Sequence, residues 1–255
     1  LGLAYLISMD AALSLLGKDV FDVLNSYSFT VIPLFVLMGQ VAYNSGIAKR
    51  LFDTSYKFIG HIPGGLAMAT VGGATIFKAI CGSSPATSAT FASVAVPEMD
   101  RYNYDRRLST GIVATVGTLG ILLPPSVTLI IYGIITDQSI GRLFLAGIFP
   151  GLMIAAFFIV IIYGWCVMNP ALGPKGERSS WGERIRAIPQ VLWVLVIFVL
   201  IIGGILKGFF TPTEAGSVGT FLVLLLTFLK RDLNIKGYIK SVSESLRTAT
   251  VVLFL

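Results

Sequence analysis

The sequence predicts an all-α membrane protein of polytopic helices that includes a re-entrant helical hairpin and a broken helix. Composition is the first reason. Of 255 residues, 55% are hydrophobic and only 13% charged, with strongly positive mean hydropathy, whereas soluble domains carry about a quarter charged residues. The second reason is that apolar runs of spanning length alternate with short loops rich in Lys and Arg, the pattern that orients helices in a bilayer. The third is the segment Ile62 to Pro97, apolar and glycine-rich, flanked by basic loops. It is interrupted at its middle by Cys81-Gly82-Ser83-Ser84-Pro85-Ala86-Thr87-Ser88-Ala89-Thr90.

In chain order, the apolar runs are 1–16, 28–45, 108–135, 142–168, 190–206, 216–229 and one beginning near 246. Residues 1–16 lack the basic start and cleavage site of a signal peptide, so they read as part of a span. Leu1 and Leu255 both lie within apolar runs, which predicts a fragment of a longer chain. The most basic loops hold Lys49, Arg50 and Lys57; Arg101, Arg106 and Arg107; Lys175, Arg178, Arg184 and Arg186; and Lys230, Arg231, Lys236 and Lys240. Loops around Asp19 and Asp22, Asp137 and Glu214 are poor in positive charge. Placing the basic loops in the cytoplasm gives one consistent path, with single crossings at 28–45, 108–135, 142–168, 190–206 and 216–229.

That path requires 62–97 to return to its own side. Two helical arms of roughly 25 Å would allow either a deep re-entrant hairpin or two short full spans, and the polar tip favours the re-entrant form. Just before it, Ile47, Leu51, Phe52, Tyr56 and Ile59 recur at helical spacing against Lys49, Arg50, Asp53 and Lys57. Such a pattern predicts a helix lying along the membrane surface. Gly173 to Ile188 is polar and proline-bounded, and reads as a linker between two units.

The net charge of +6 sits in loops between spans, so orientation explains it and nucleic-acid binding does not. Cys81 and Cys166 lie inside apolar stretches and read as small buried side chains rather than a disulfide or metal pair. There is no G-x-S-x-G or H-E-x-x-H, and Gly173-Pro174-Lys175-Gly176 lacks the spacing of a phosphate-binding loop. These absences weigh against a membrane enzyme and against ATP hydrolysis. A gradient-driven carrier or a channel with a re-entrant selectivity loop is left.

Gly82-Ser83-Ser84-Pro85 has the grammar of one helix ending and another beginning. Gly82 suits a left-handed C-cap, Ser83 or Ser84 an N-cap, and Pro85 a first turn. Two helix ends then meet. One offers unpaired carbonyls to a small hard cation, and the other offers N–H groups and a positive dipole end to a carboxylate. Close helix packing is the competing reading, and it accounts at least as well for Thr87, Ser88 and Thr90.

Gly117-Thr118-Leu119-Gly120-Ile121-Leu122-Leu123-Pro124-Pro125-Ser126 lies at the middle of 108–135. The paired prolines deprive the carbonyls of Gly120 and Ile121 of their helical donors, so the helix breaks there. With a second broken element in the same chain, a binding site is favoured over a merely structural kink. Lys78, in an otherwise uncharged arm, is either functional or a lysine that snorkels or faces a protein cavity, and both readings stand. His61 reads as a solvated interfacial residue, and Glu214 as an acid in a helix first turn.

Together these stretches resemble the large membrane subunit of tripartite ATP-independent periplasmic (TRAP) transporters. The resemblance rests on Ile32-Pro33-Leu34-Phe35, Gly82 to Thr87, Pro97-Glu98-Met99, Leu123-Pro124-Pro125-Ser126, Tyr132-Gly133, Leu143 to Gly151 and Pro212-Thr213-Glu214-Ala215-Gly216. It implies a sodium-coupled carrier of an organic acid anion, such as a dicarboxylate, sugar acid or keto acid, in the bacterial inner membrane. It further implies an elevator-type movement of a domain built from inverted repeats, a small membrane subunit as partner, and a periplasmic substrate-binding protein. No cofactor is implied beyond sodium as coupling ion.

On this resemblance, 1–61 holds scaffold helices and the surface helix, and 62–135 the transport-domain hairpin and broken helix. Residues 136–189 hold a closing helix and linker, and 190–255 the start of a second repeat. Ser83, Ser84, Pro85, Thr87, Pro125 and Ser126 are implied on the substrate side. Gly82, Ser83, Gly117, Thr118, Gly120, Ile121 and Pro124 are implied around sodium, mainly through backbone carbonyls. The family's second hairpin has no counterpart within these residues. Lys78 stands where the family tends to place a small residue.

Overall fold

A computed structural model describes residues 5–25 and 27–253. Every regular element among the described residues is helical. The helices are α1 (Met9–Asn25), α2 (Val31–Asn44), α3 (Ile47–Ile59), α4 (Gly65–Lys78), α5 (Ser84–Arg101) and α6 (Arg106–Leu122). They continue with α7 (Val127–Ile135), α8 (Ile140–Met168), α9 (Trp181–Leu206), α10 (Pro212–Leu229) and α11 (Ile235–Leu253). Among the described residues four stretches are long and apolar enough to cross a membrane: α6 with α7 across their break, α8, α9 and α10. Helix α2, expected as a crossing, reaches that length only together with α3 across their bend.

The helix ends follow local chemistry. Between α2 and α3 the chain bends by 64° at Gly46, whose φ of +73° only glycine adopts without strain. Past that bend, α3 buries Ile47, Ala48, Leu51 and Phe52 while Lys49 stays exposed and pairs with Asp53 at 3.2 Å. This is the two-faced helix expected from its spacing. As expected, Glu214 closes a capping box on α10: its carboxylate accepts from Thr211 N at 2.8 Å, and its own N–H donates to Thr211 Oγ1 at 3.3 Å.

At the centre lies α2, most of it buried. Phe35 meets Phe144 of α8 edge-on at 6.2 Å. On one side Thr220 of α10 donates to the Leu34 carbonyl at 2.8 Å. On another Asn44 donates to Ser241 and Glu244 of α11 at 3.1 and 2.9 Å. Arg50 and Asp232 form a two-pronged ion pair at 2.9 and 2.7 Å, tying the start of α3 to the α10–α11 loop.

Three expectations are corrected. A single span over 1–16 is interrupted at Ile7 and Ser8, where Ser8 Oγ caps α1 by accepting from Ala11 N at 3.1 Å, and Asp19 and Asp22 are helical rather than in a loop. Residues 1–4 of that span lie outside the described residues. The run expected from 246 begins as a helix at Ile235, where Asn234 caps by accepting from Gly237 N at 2.8 Å; residues 254–255 lie outside the described residues. The linker 173–188 shortens, because Ser180 and Glu183 form a capping box that starts α9 at Trp181.

What remains of that linker is a strap. Gly64 N donates to Gly173 O and Gly176 N to Gly60 O, both at 2.9 Å, and Asp105 N donates to Leu172 O at 3.1 Å. Tyr104 accepts from Leu66 N at 3.2 Å and donates to Pro174 O at 2.9 Å. Burial pushes its hydroxyl well above the usual tyrosine range, so it remains a donor. The strap covers the turn holding His61, a half-buried residue whose Nδ1 is buried with no hydrogen-bond partner among the described residues. Tyr104→Phe strands the Leu66 N–H and the Pro174 carbonyl. It is expected to lower stability by about 1–3 kcal/mol, read as a lower thermal midpoint of the full-length protein in detergent.

Candidate functional site

Helix α4 ends at Lys78, and the amides of Ala79, Ile80 and Cys81 turn back to the carbonyls of Ile76, Phe77 and Lys78 at 3.1, 3.1 and 3.3 Å. These short-reach bonds tighten the last turn. The expected left-handed cap at Gly82 is absent: the positive-φ glycines among the described residues are Gly46, Gly64 and Gly208. Gly82 is needed for a different reason. A Cβ there would stand 3.0 Å from the Pro125 carbonyl oxygen, so the glycine lets the second broken element approach.

Helix α5 then starts as its sequence suggests. Ser83 is the N-cap, its hydroxyl accepting from Ala86 N at 3.3 Å, and Pro85 lies in the first turn. The Ser83 carbonyl accepts from Thr87 N at 3.2 Å, from Thr87 Oγ1 at 2.9 Å and from Lys78 Nζ at 2.9 Å. Lys78, at 0% exposure, therefore closes the tip internally.

The prolines break the facing helix as expected, with α6 ending at Leu122 and α7 starting at Val127. Ser126 serves both ends of the break. Its hydroxyl donates to the Ile121 carbonyl at 2.9 Å and accepts from Leu129 N at 3.4 Å. The two broken elements then join directly, Val127 N donating to Gly82 O at 3.4 Å. Below that bond Gly117 and Gly120 face α4 and α5. A Cβ on Gly117 would fall on Ser88 Oγ, and one on Gly120 would fall on Lys78 Nζ.

The structure brings most, but not all, of the residues named from sequence together. Gly82, Ser83, Ser84, Gly117, Gly120, Pro124, Pro125 and Ser126 lie at or beside this junction. Thr87 is fully buried with its hydroxyl engaged in the α5 cap, which holds it away from the open side. Thr118 is exposed and donates to the Thr115 carbonyl at 2.7 Å, on the face of α6 turned from the tip. The Ile121 carbonyl lies at the break but is already taken by Ser126.

On the open side, Ser83 and Pro85 line a groove of about 350 Å³ together with Gln40, Tyr43, Glu244 and Arg247. The α11 residues were missed from sequence because 236–246 read as a basic loop and its approach to the first hairpin is a long-range contact. The polar Ser-rich spacing of Ser241 and Ser245, both buried, was the available signal.

Across residues 1–255 the chain matches the family model described as the DctM component of the tripartite ATP-independent periplasmic transporters. The chain belongs to this family. Its TRAP relatives include the C4-dicarboxylate large permease protein DctM of Pseudomonas aeruginosa, 38% identical over 251 residues covering 98% of this chain and 58% of the relative. The ectoine large permease protein TeaC of Halomonas elongata is 38% identical over 229 residues, 89% of this chain and 53% of that one. The 2,3-diketo-L-gulonate large permease protein YiaN of Escherichia coli is 33% identical over 266 residues, 100% of this chain and 62% of that one. The chain thus spans a little over half the length of these relatives.

With four stretches fit to cross a membrane among the described residues, this TRAP chain is a multi-pass protein of the inner membrane. The relatives are named as permeases, so neither the enzyme nor the channel reading has support. Ser126→Ala frees the Ile121 carbonyl and uncaps α7 in one step. It is expected to cost about 1–3 kcal/mol, measured as a drop in thermal midpoint that Ser126→Thr largely restores.

Proposed function

We propose that the chain is part of the large membrane subunit of a sodium-coupled carrier that moves an organic acid anion into the cell. A small membrane subunit and a periplasmic substrate-binding protein complete the system. The observation that carries this reading is the hydrogen-bonded junction of two broken helical elements at Gly82 and Val127, opening beside a polar groove. Broken backbone of this kind inside a bundle of spanning helices is the usual setting of a carrier site.

In this reading 62–97 is a re-entrant hairpin. The positive end of α5 at Ser83, Ser84 and Pro85, with Pro125 and Ser126 across from it, forms one side of the anion site. Arg247, in the same groove, supplies a positive charge, while the Glu244 carboxylate beside it is taken up by Asn44 and Lys240. The cation-facing side of this half-site is the set Gly82, Ser83, Gly117, Gly120, Ile121 and Pro124. The fold divides as scaffold (1–61), transport unit (62–135), closing helix and strap (136–189) and the start of a second, inverted repeat (190–255), and transport proceeds by an elevator movement. The relatives named for C4-dicarboxylate and 2,3-diketo-L-gulonate support an acid as substrate.

The test uses the full-length subunit with its partners in proteoliposomes under an inward sodium gradient, offered C4-dicarboxylates, sugar acids and keto acids. Concentrative uptake of at least one acid is expected. Ser83→Leu and Gly120→Leu are expected to reduce it to the level of empty liposomes, with unchanged amounts of subunit in the membrane. Full uptake in both variants would remove the site from this tip, and dissipative flux in the wild type would return the channel.

A further inference from the structure

The half-site reserved for a coupling cation already contains one. Lys78 is the last residue of α4 and has no exposed surface. Its ammonium donates to the Ser83 carbonyl at 2.9 Å and lies against the bare Cα face of Gly120, where a Cβ could not be accommodated. It forms no ion pair among the described residues. Its charge is met by the Ser83 carbonyl oxygen and by its own place in the last turn of α4, the negative end of that helix, the kind of environment that would attract a free cation.

Three of the carbonyls expected to hold sodium, those of Gly82, Ser83 and Ile121, are at the same time engaged. Ser83 O has four donors, from Lys78 Nζ, Thr87 N, Thr87 Oγ1 and, more weakly, Cys81 Sγ. Gly82 O accepts from Val127 N, and Ile121 O accepts from Ser126 Oγ. The Thr118 hydroxyl turns away to Thr115. Two positive charges in this space would repel each other with little solvent between them, and a buried charge is tolerated only where its surroundings compensate it. The residues present fit an ammonium and do not fit a sodium ion beside it.

We propose that the Lys78 side chain is a tethered cation occupying this half-site in place of a sodium ion, so that the subunit binds one sodium fewer than its fold can accommodate. Gly120 is part of the device, since only a residue without a Cβ leaves room for the ammonium. The inference rests on the carrier reading and deepens it: coupling sodium would enter through the other half of the site.

The test counts sodium directly, with radioactive sodium as the probe, on purified full-length subunit. Lys78→Ala removes both charge and bulk, and is expected to bind one more sodium ion per subunit than the wild type. Lys78→Met keeps the bulk and is expected to gain none. Equal counts in wild type and Lys78→Ala overturn the proposal. Should Lys78→Ala resist purification, Lys78→Ser takes its place, and thermal midpoints in sodium and choline chloride are compared. A larger sodium-dependent rise in Lys78→Ser than in wild type supports the tethered cation, and an equal rise overturns it. Absence of sodium-driven uptake by the wild-type assembly would defeat the carrier reading, a result independent of these sodium counts.

Discussion

A backbone carbonyl or amide freed inside a bundle of apolar helices has no water to turn to, so each broken helix must find its partners within the protein. The rest of the structure depends on how that demand is met at residues 78–84 and 120–127. Lys78 and Thr87 satisfy the Ser83 carbonyl, Ser126 satisfies that of Ile121, and Val127 and Gly82 satisfy each other across the gap. The last of these bonds converts two separate breaks into one junction. A carrier needs its irregular backbone held in this way, because a loose break would leave binding groups unplaced and unsatisfied.

Small residues make the junction possible. Gly82 admits the Pro125 carbonyl, Gly120 the Lys78 ammonium and Gly117 the Ser88 hydroxyl, while Gly39 of α2 passes so close to Cys81 that a Cβ on it would stand 3.0 Å from the sulfur. These are close-approach glycines in ordinary backbone conformations. Gly46 and Gly64, each at φ +73°, have a different role, turning the chain into α3 and α4. The distinction has a consequence for substitution: alanine at the first group collides with a neighbour, at Gly46 it strains only its own backbone, and at Gly64 it does both, with Cys166 Sγ 2.8 Å from the added Cβ.

Around the junction, the strap at 173–176 and the Arg50–Asp232 pair tie distant parts of the chain together at the ends of helices rather than at their middles. These two connections lie where helices end, while α2 packs along α10 and meets α8 through the Phe35–Phe144 pair. The arrangement leaves a groove beside Ser83 as the place where the polar groups of α2, α5 and α11 come together.

Much of this was legible in one dimension. Composition and basic loops declared a membrane protein, the double proline declared the broken helix, and Ser83-Ser84-Pro85 declared the start of α5, because each depends on bonds and sterics within a few residues. Helix limits in polar stretches were not legible: 235–246 and 181–188 carry enough charge to look like loops, and are helical because Asn234, Ser180 and Glu183 cap them. The family, too, was readable from the order of its short motifs. What the sequence by itself determined is therefore where the chain breaks and which groups each break sets free. Which partner each freed group takes was decided only by the tertiary structure. Lys78 to Ser83 follows a backbone path no spacing rule specifies, and Val127 to Gly82, like Arg247 beside Ser83, joins residues brought near one another solely by helix packing.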